Sequence, residues 1–216
     1  MQYSLFDAEP DSASPLDFET LPLSEGDVRY YPNALPMATA SLCYESLKTE
    51  LPWRQDNIKL FGKSVAIPRL QSWHGDPQCT YTYSNLTMSP NPWTETLTEL
   101  RHVCEKLCMP FYSKGFNSVL ANWYRDGQDS MSLHADNEPE LGPNPVIASL
   151  TLGEARPFTF KHKETHARYT RLLEHGSVLV MAGATQSHYL HGIAKTKKPI
   201  NGRINLTFRQ LLLRTR

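Results

Sequence analysis

Residues 203–209 read R-I-N-L-T-F-R. In an extended strand, successive side chains alternate between the two faces. Arg203, Asn205, Thr207 and Arg209 therefore share one side, and Ile204, Leu206 and Phe208 share the other. The apolar side is half of a core. The polar side suits an anion, because each Arg presents a planar fork to carboxylate or phosphate. Two forks on one face suit a dicarboxylate held at both ends. A solvent-facing strand with hydrated Arg would show the same alternation, so this strand is decided by what accompanies it.

Upstream, residues 132–136 read S-L-H-A-D. His134 and Asp136 share a strand face and point an imidazole and a carboxylate at a common centre. A second, distant His would complete the two-His-one-carboxylate set that holds non-haem iron(II) and leaves positions open. His188 and His191, in S-H-Y-L-H-G, are both candidates. Residues 118–124, S-V-L-A-N-W-Y, place Asn122 and Tyr124 together with Trp123 opposite. That pair offers neutral hydrogen bonds to a ligand oxygen.

From Phe116 onward, short strands are expected at 118–124, 146–152, 157–161, 176–181 and 203–211. Strands this closely spaced suggest a mainly β sandwich or jelly roll with helices packed outside. A helix is predicted over 38–51, stopped by Pro52. A second is predicted over 92–107, with Trp93, Leu97, Leu100, Val103 and Leu107 as its apolar stripe. Residues 1–27 are rich in Asp, Glu, Ser and Pro without a period, and read as a flexible tail.

The chain has 216 residues, 40% hydrophobic and 20% charged, ordinary for a globular domain. It has no apolar run of membrane-spanning length and no basic-then-apolar leader. The expected location is intracellular: cytoplasmic for a bacterial chain, nuclear for a eukaryotic one. Of four cysteines, Cys43 and Cys79 stand alone and Cys104 and Cys108 lack a second pair at zinc spacing, so buried thiols are expected. Lys+Arg and Asp+Glu both total 22. They are unevenly spread: residues 1–60 carry ten acids and four bases, 61–155 ten and six, and 156–216 two and twelve. A basic final quarter suits a polyanionic partner. A solvated surface with its counter-charges nearby gives the same count.

Taken together, N-W-Y at 122–124, H-A-D at 134–136, S-H-Y-L-H-G ending in Gly192 and R-I-N-L-T-F-R at 203–209 resemble the AlkB family of nucleic-acid dealkylating dioxygenases. The resemblance covers roughly Phe61 to Arg209. L-F-G-K at 60–63, I-P-R at 67–69 and Y-T-Y-S at 81–84 resemble its branch acting on double-stranded DNA. It implies a double-stranded β-helix core over 116–216, with a nucleotide-recognition lid and supporting helices over 28–115. It implies iron(II) on His134, Asp136 and His191, the spacing to the Arg strand favouring His191 over His188. It sets 2-oxoglutarate against Asn122, Tyr124, Arg203, Asn205, Thr207 and Arg209, with O2 as the further co-substrate. The implied reaction is DNA repair by direct oxidative demethylation of 1-methyladenine or 3-methylcytosine, releasing formaldehyde, succinate and CO2. The alternative is a same-fold dioxygenase acting on RNA or a non-nucleic substrate.

Such methyl groups lie within the base pair, so the base must be flipped out or presented on a single strand. On this resemblance Phe61 fills the gap in the stack, Gly62 bends the turn and Lys63 meets a phosphate. Tyr81 and Tyr83 flank the flipped base, and Arg69, Asn137 and Glu138 complete the substrate contacts. Asn137 departs from the family, whose DNA-repair branch usually carries a second Asp there. Asn still accepts a hydrogen bond but has no charge for a cationic base. Finally, Q-Y-S-L-F at 2–6 resembles the peptide by which bacterial repair proteins dock on the sliding clamp, with Gln2, Leu5 and Phe6 as anchors. An acidic tail also carries such short runs by chance.

Overall fold

The computed structural model describes residues 17–60, 62–79, 81–83, 86–112 and 114–213. Phe61 and the peptide 2–6 lie outside the described residues. The chain opens with β1 (Glu19–Thr20), β2 (Asp27–Tyr31) and α1 (Met37–Glu50). The hairpin β3 (Asn57–Leu60) and β4 (Lys63–Ala66) precedes β5 (Leu70–Gly75). A second hairpin, β6 (Tyr81–Tyr83) and β7 (Leu86–Met88), leads to α2 (Glu95–Cys108). Then come β8 (Ser118–Tyr124), β9 (Met131–His134), β10 (Ile147–Gly153), β11 (Arg156–His162), β12 (Arg168–Leu173) and β13 (Ser177–Ala182). The short α3 (Thr185–His188), β14 (Tyr189–Ile193) and β15 (Arg203–Arg209) complete the described elements.

Seven strands in the order β1-β2-β13-β10-β15-β8-β5 form one sheet, and β12-β11-β14-β9 form a second. Strand alternation explains the layers. Val119 and Ala121, Ala148 and Leu150, Val178 and Val180, and Ile204, Leu206 and Phe208 share a core with α1 and α2. The alternate residues of β13, Leu179 and Met181, join Phe158, Phe160, Tyr189 and Ile193 of the second sheet in another core. The large sheet is therefore covered on both faces, by helices on one and by the small sheet on the other. This is the jelly-roll architecture with helices outside that the strand pattern predicts.

The helices follow from their apolar spacing. On α2, Leu97, Leu100, Cys104, Leu107 and Cys108 are buried, and on α1, Ala40, Cys43 and Leu47. Each fully buried Leu contributes about 1.5–3 kcal/mol. The second helix starts at Glu95, later than the predicted 92, because the Thr94 side chain caps it by accepting the Leu97 N–H at 3.2 Å. Trp93 stays outside and donates its indole N–H to Asp76 at 2.8 Å. The last strand ends at Arg209, two residues short of the expected 211.

Residues 19–27, assigned to the tail by composition, are built into the fold. β1 pairs with β2, and Leu21 and Leu23 are buried. The sheet also recruits β2 and β5 from the segment before residue 116. They pair with β13 and β8, whose backbone groups would otherwise be left unpaired at the sheet edges. Among the described residues, no helix is long and apolar enough to cross a membrane.

Candidate active site

The polar residues of the large sheet form a row across neighbouring strands. Asn205 pairs in register with Thr151 on one side and Asn122 on the other, and Asn122 pairs with Gln71. All face the small sheet. Thr207 pairs with Ser149 in the same way. Both faces of β15 are covered, so the hydrated-strand alternative does not apply. The row is internally bonded: Asn205 donates through Nδ2 to Ser149 Oγ and the Leu150 carbonyl, and Thr207 donates to Asn205 Oδ1.

Asn122 has a defined orientation. Its Oδ1 accepts from Arg69 Nε at 2.8 Å and Gln71 Nε2 at 2.9 Å. A guanidinium only donates, so the oxygen must face Arg69 and the amide NH2 is turned the other way. Arg69, assigned to substrate by the resemblance, is itself buried; its other described bond goes to the Ser130 carbonyl at 3.3 Å.

Opposite this row, β9 and β14 place His134 and His191 as direct register partners. Asp136 follows two residues beyond the end of β9. The nitrogen and oxygen ligand atoms of His134, Asp136 and His191 all lie within 4.8 Å of one another. Asp136 Oδ1 lies 3.8 Å from His134 Nε2, and Oδ2 lies 3.7 Å from His191 Nε2. His134 Nδ1 donates to the Ser132 carbonyl at 3.0 Å, which leaves its Nε2 lone pair for the centre. The His191 ring stacks on Phe158, with centroids 5.3 Å apart. Gly192 permits the close approach of these strands: a Cβ there would stand 2.7 Å from the Met131 carbonyl oxygen.

The electrostatics fit a metal. Burial pushes the Asp136 carboxyl up, but Arg209 and the two imidazoles outweigh it and hold the group below its ordinary value. Burial pushes the His191 imidazolium down to about 3, with Asp136 opposing and His134 and Arg209 assisting. An ionised carboxylate beside a neutral imidazole is what a divalent cation needs. Arg209 donates to Asp136 Oδ1 at 2.8 Å and leaves its buried Nε without a partner. Arg203 is 1% exposed and donates to Thr151 Oγ1, while its Nε and Nη1 have no partner. Its guanidinium lies 5.3 Å from the Tyr124 ring centroid.

These groups enclose a cavity between the sheets, lined by Asn122, Tyr124, Asn205, Thr207 and Arg209 with the three metal-ligating candidates. Met131, Phe158, Met181 and Ile193 form its apolar wall. Arg203 is not among these lining residues; its guanidinium packs against the ring of Tyr124, which is.

His188 stands apart, 3.5 Å from Glu25, in a second group with His162. His162 Nδ1 accepts the backbone N–H groups of Glu164 and Thr165 at 3.3 and 3.1 Å. Its proton is therefore on Nε2, which donates to Glu25 at 3.1 Å, and no lone pair is left for a cation. Glu25 holds this position in the left-handed region, with φ 60°.

The substrate residues named from sequence are more dispersed. Asn137 and Glu138 are exposed just beyond Asp136. Lys63 opens β4, Gly62 turns the β3–β4 hairpin with φ 78°, and Tyr81 and Tyr83 bracket β6. Within the basic final quarter, Arg171 pairs with Glu19 at 3.1 Å and Lys163 donates to the Gln186 carbonyl at 2.8 Å. Arg168, Lys195, Lys197 and Lys198 are exposed. Sequence reading did not single out Gln71, Gln186 or Gly192. The H-G dipeptide at 191–192 was a signal for the last; the amides carried none.

Two facing antiparallel sheets with a His-Asp-His set between them define a jelly-roll mononuclear metal protein. The chain belongs to the 2OG-Fe(II) oxygenase superfamily, whose model matches residues 27–209. Membership implies Fe(II), 2-oxoglutarate and O2 as the reactive set. The chain is 40% identical over 164 residues to the human DNA oxidative demethylase ALKBH2, covering 72% of this chain and 61% of that one. The mouse protein of that name is 39% identical, with 72% and 66% covered. Mouse alpha-ketoglutarate-dependent dioxygenase alkB homolog 3 is 38% identical over 198 residues, with 87% and 67% covered. The chain thus spans about three fifths to two thirds of these relatives' length. The solved structure of OsALKBH1 superposes with a TM-score of 0.62 at 17% identity, covering 85% of this chain and 97% of that one, and shares the fold.

Proposed function

We propose that this protein is a DNA repair dioxygenase that removes methyl groups from base nitrogens, with 1-methyladenine and 3-methylcytosine as its substrates. One observation carries the reading: two imidazoles and a carboxylate converge within 4.8 Å at the wall of a cavity flanked by two arginines with unpartnered N–H groups. His134, Asp136 and His191 would hold iron(II). With 2-oxoglutarate and O2 bound, the iron centre supplies the oxidation that turns an N-methyl into N-hydroxymethyl, yielding succinate and CO2; loss of formaldehyde then restores the base.

The chain's own residues do the rest. Arg209 and Arg203 supply donors for the two carboxylates of 2-oxoglutarate. Asn122, its oxygen already taken by Arg69 and Gln71, turns its NH2 to the same ligand. Tyr124, buried and pushed up in pKa by that burial against the pull of nearby arginines, is neutral and can donate its hydroxyl proton. The apolar wall of Met131, Phe158, Met181 and Ile193 excludes water. Asn137 and Glu138, exposed just beyond Asp136, are proposed to contact the flipped base, with Tyr81 and Tyr83 as the proposed stacking pair. The β3–β4 hairpin supports a duplex-probing role, since its cross-strand pair Ile58 and Val65 is exposed and apolar. Phe61, which precedes Gly62 in the sequence, is proposed to fill the gap in the stack. The exposed Arg168, Lys195, Lys197 and Lys198 would meet phosphates, which makes binding salt-dependent.

A nucleic-acid substrate and the described cysteines, all buried and free, fit an intracellular protein. The peptide 2–6 is proposed to dock on a sliding clamp; a pull-down unchanged by deleting residues 1–8 would sink that idea. The function itself is tested by aerobic incubation with iron(II), 2-oxoglutarate and a duplex oligonucleotide bearing 1-methyladenine or 3-methylcytosine, reading formaldehyde and base mass. Turnover is expected from wild type and not from His134→Ala. Succinate without base repair would redirect the search to RNA or a non-nucleic substrate.

A further inference from the structure

The three candidate metal ligands are not held alike. His134 and His191 are register partners within the β9–β14 ladder, so paired strands fix their backbones. Asp136 lies two residues past β9, and its backbone N–H has no strand partner. That N–H instead donates to Oε1 of Gln186 at 3.0 Å. Gln186 is 2% exposed and lies on α3, the turn that leads directly into the strand carrying His191. Its Nε2 faces the Met181 sulfur at 3.6 Å, and its backbone carbonyl accepts the Lys163 ammonium at 2.8 Å.

We propose that Gln186 is a positioning residue that sets the metal-binding carboxylate by holding the Asp136 backbone; this rests on the reading of His134, Asp136 and His191 as ligands. The other hold on Asp136 is Arg209, at 2.8 Å from Oδ1. That guanidinium is also the donor the co-substrate carboxylate would use, so its grip on Asp136 is shared. The Gln186 bond is made to the Asp136 backbone, not to the carboxylate that a metal would engage. The same side chain couples two ligands: it ties the loop that bears the carboxylate to the element that bears the second imidazole. A buried amide serving only the core would bond somewhere within its own layer; this one reaches a ligand's main chain.

The test uses the full chain without iron and Mn(II) alone as probe, with binding read by the loss of the free-ion paramagnetic signal. Gln186→Met keeps the length and removes the acceptor. Gln186→Glu keeps an acceptor oxygen. Mn(II) affinity should fall about 10–100-fold in Gln186→Met, the usual effect of losing a partner that orients a ligand, and should largely return in Gln186→Glu. Exchange of the Asp136 amide proton should quicken in the first variant and not the second. If Gln186→Met does not fold, Gln186→Asn, one methylene shorter, gives the same reading. Wild-type affinity in the acceptor-free variant, or equal loss in Gln186→Glu, overturns the proposal. A wild-type protein that binds no Mn(II) overturns the ligand reading itself, a separate failure.

Discussion

Replacing Arg203 with Met should weaken 2-oxoglutarate and leave the ligand-free fold as stable as before. Arg203 is 1% exposed, and burial pushes its guanidinium down to about 10, Tyr124 opposing, so it is still charged at neutral pH. It makes one described hydrogen bond, to Thr151, and leaves Nε and Nη1 unpartnered. An uncompensated buried cation costs stability, so its removal offsets the lost Thr151 bond and the contact with Tyr124. The two free donors matter when a carboxylate arrives. Hydrogen bonds to charged groups are worth about 1.5–3 kcal/mol each, so two give about 3–6 kcal/mol, roughly a hundredfold loss of affinity or more. Calorimetric titration of 2-oxoglutarate into the Mn(II)-loaded protein reads the affinity, and thermal melting of the ligand-free protein reads the fold. A variant that melts several degrees lower yet binds 2-oxoglutarate unchanged would show that Arg203 is a structural arginine and not a donor to the co-substrate.

Gly192→Ala should loosen the metal centre, since its Cβ would meet the Met131 and Ser132 carbonyl oxygens at 2.7 and 3.0 Å and backbone cannot retreat as a side chain can. We expect about 1–3 kcal/mol of lost stability with weakened Mn(II) binding, checked by urea unfolding and titration. Asn137→Asp places a charge on an exposed position beside Asp136; about 1 kcal/mol of attraction in water predicts a several-fold lower KM for cationic 1-methyladenine and no change for a neutral alkylated base. At Asp129, burial raises the carboxyl pKa but hydrogen bonds from the Arg125 side chain and backbone outweigh it, so the folded value lies below 3.8. A depressed folded value gives stability that is full above the unfolded value and lost as pH falls through the folded one. Asp129→Asn should therefore cost about 1–3 kcal/mol near neutral pH, and the gap from wild type should close in acid, as urea unfolding at the two pH values would show.

What the sequence discloses here follows from the period of two. Arg203, Asn205, Thr207 and Arg209 were placed on one face by alternation, and in the structure that face is the inner one, opposite His134 and His191. Strands outside the five expected ranges, β2, β5, β12 and β14 among them, are not marked by the sequence pattern. On β14, Tyr189-Leu190-His191-Gly192-Ile193 offers little alternation to read. β12 alternates exposed and half-buried residues without an apolar face until Leu173. Tertiary partners decide both: each is completed by pairing with β11. Gln186 was invisible for a different reason. Its significance is a hydrogen bond across fifty residues of chain, and nothing local distinguishes a glutamine that makes one.

The arginines show why residue type alone does not mark a ligand site. Arg69, Arg156 and Arg203 are all buried, and burial lowers the pKa of each. Arg156 donates to the backbone carbonyls of Asp126, Asp129 and Ala194, at 3.2, 3.3 and 2.7 Å. These bonds stitch the turn after β8 to the segment after β14. Arg69 spends its donors on Asn122 and the Ser130 carbonyl. Arg203 and Arg209 differ, because each keeps buried N–H groups with no partner. Buried donors are nearly always satisfied, and those left open on one strand face point to an acceptor supplied from outside the chain. Arg101 and Arg171 also carry an unpartnered Nε, but neither lies on β15 or lines the cavity. Open buried donors together with a place on the inner face of β15, rather than the lack of a counter-charge, separate Arg203 and Arg209 from the arginines of the scaffold, since Arg209 also pairs with Asp136.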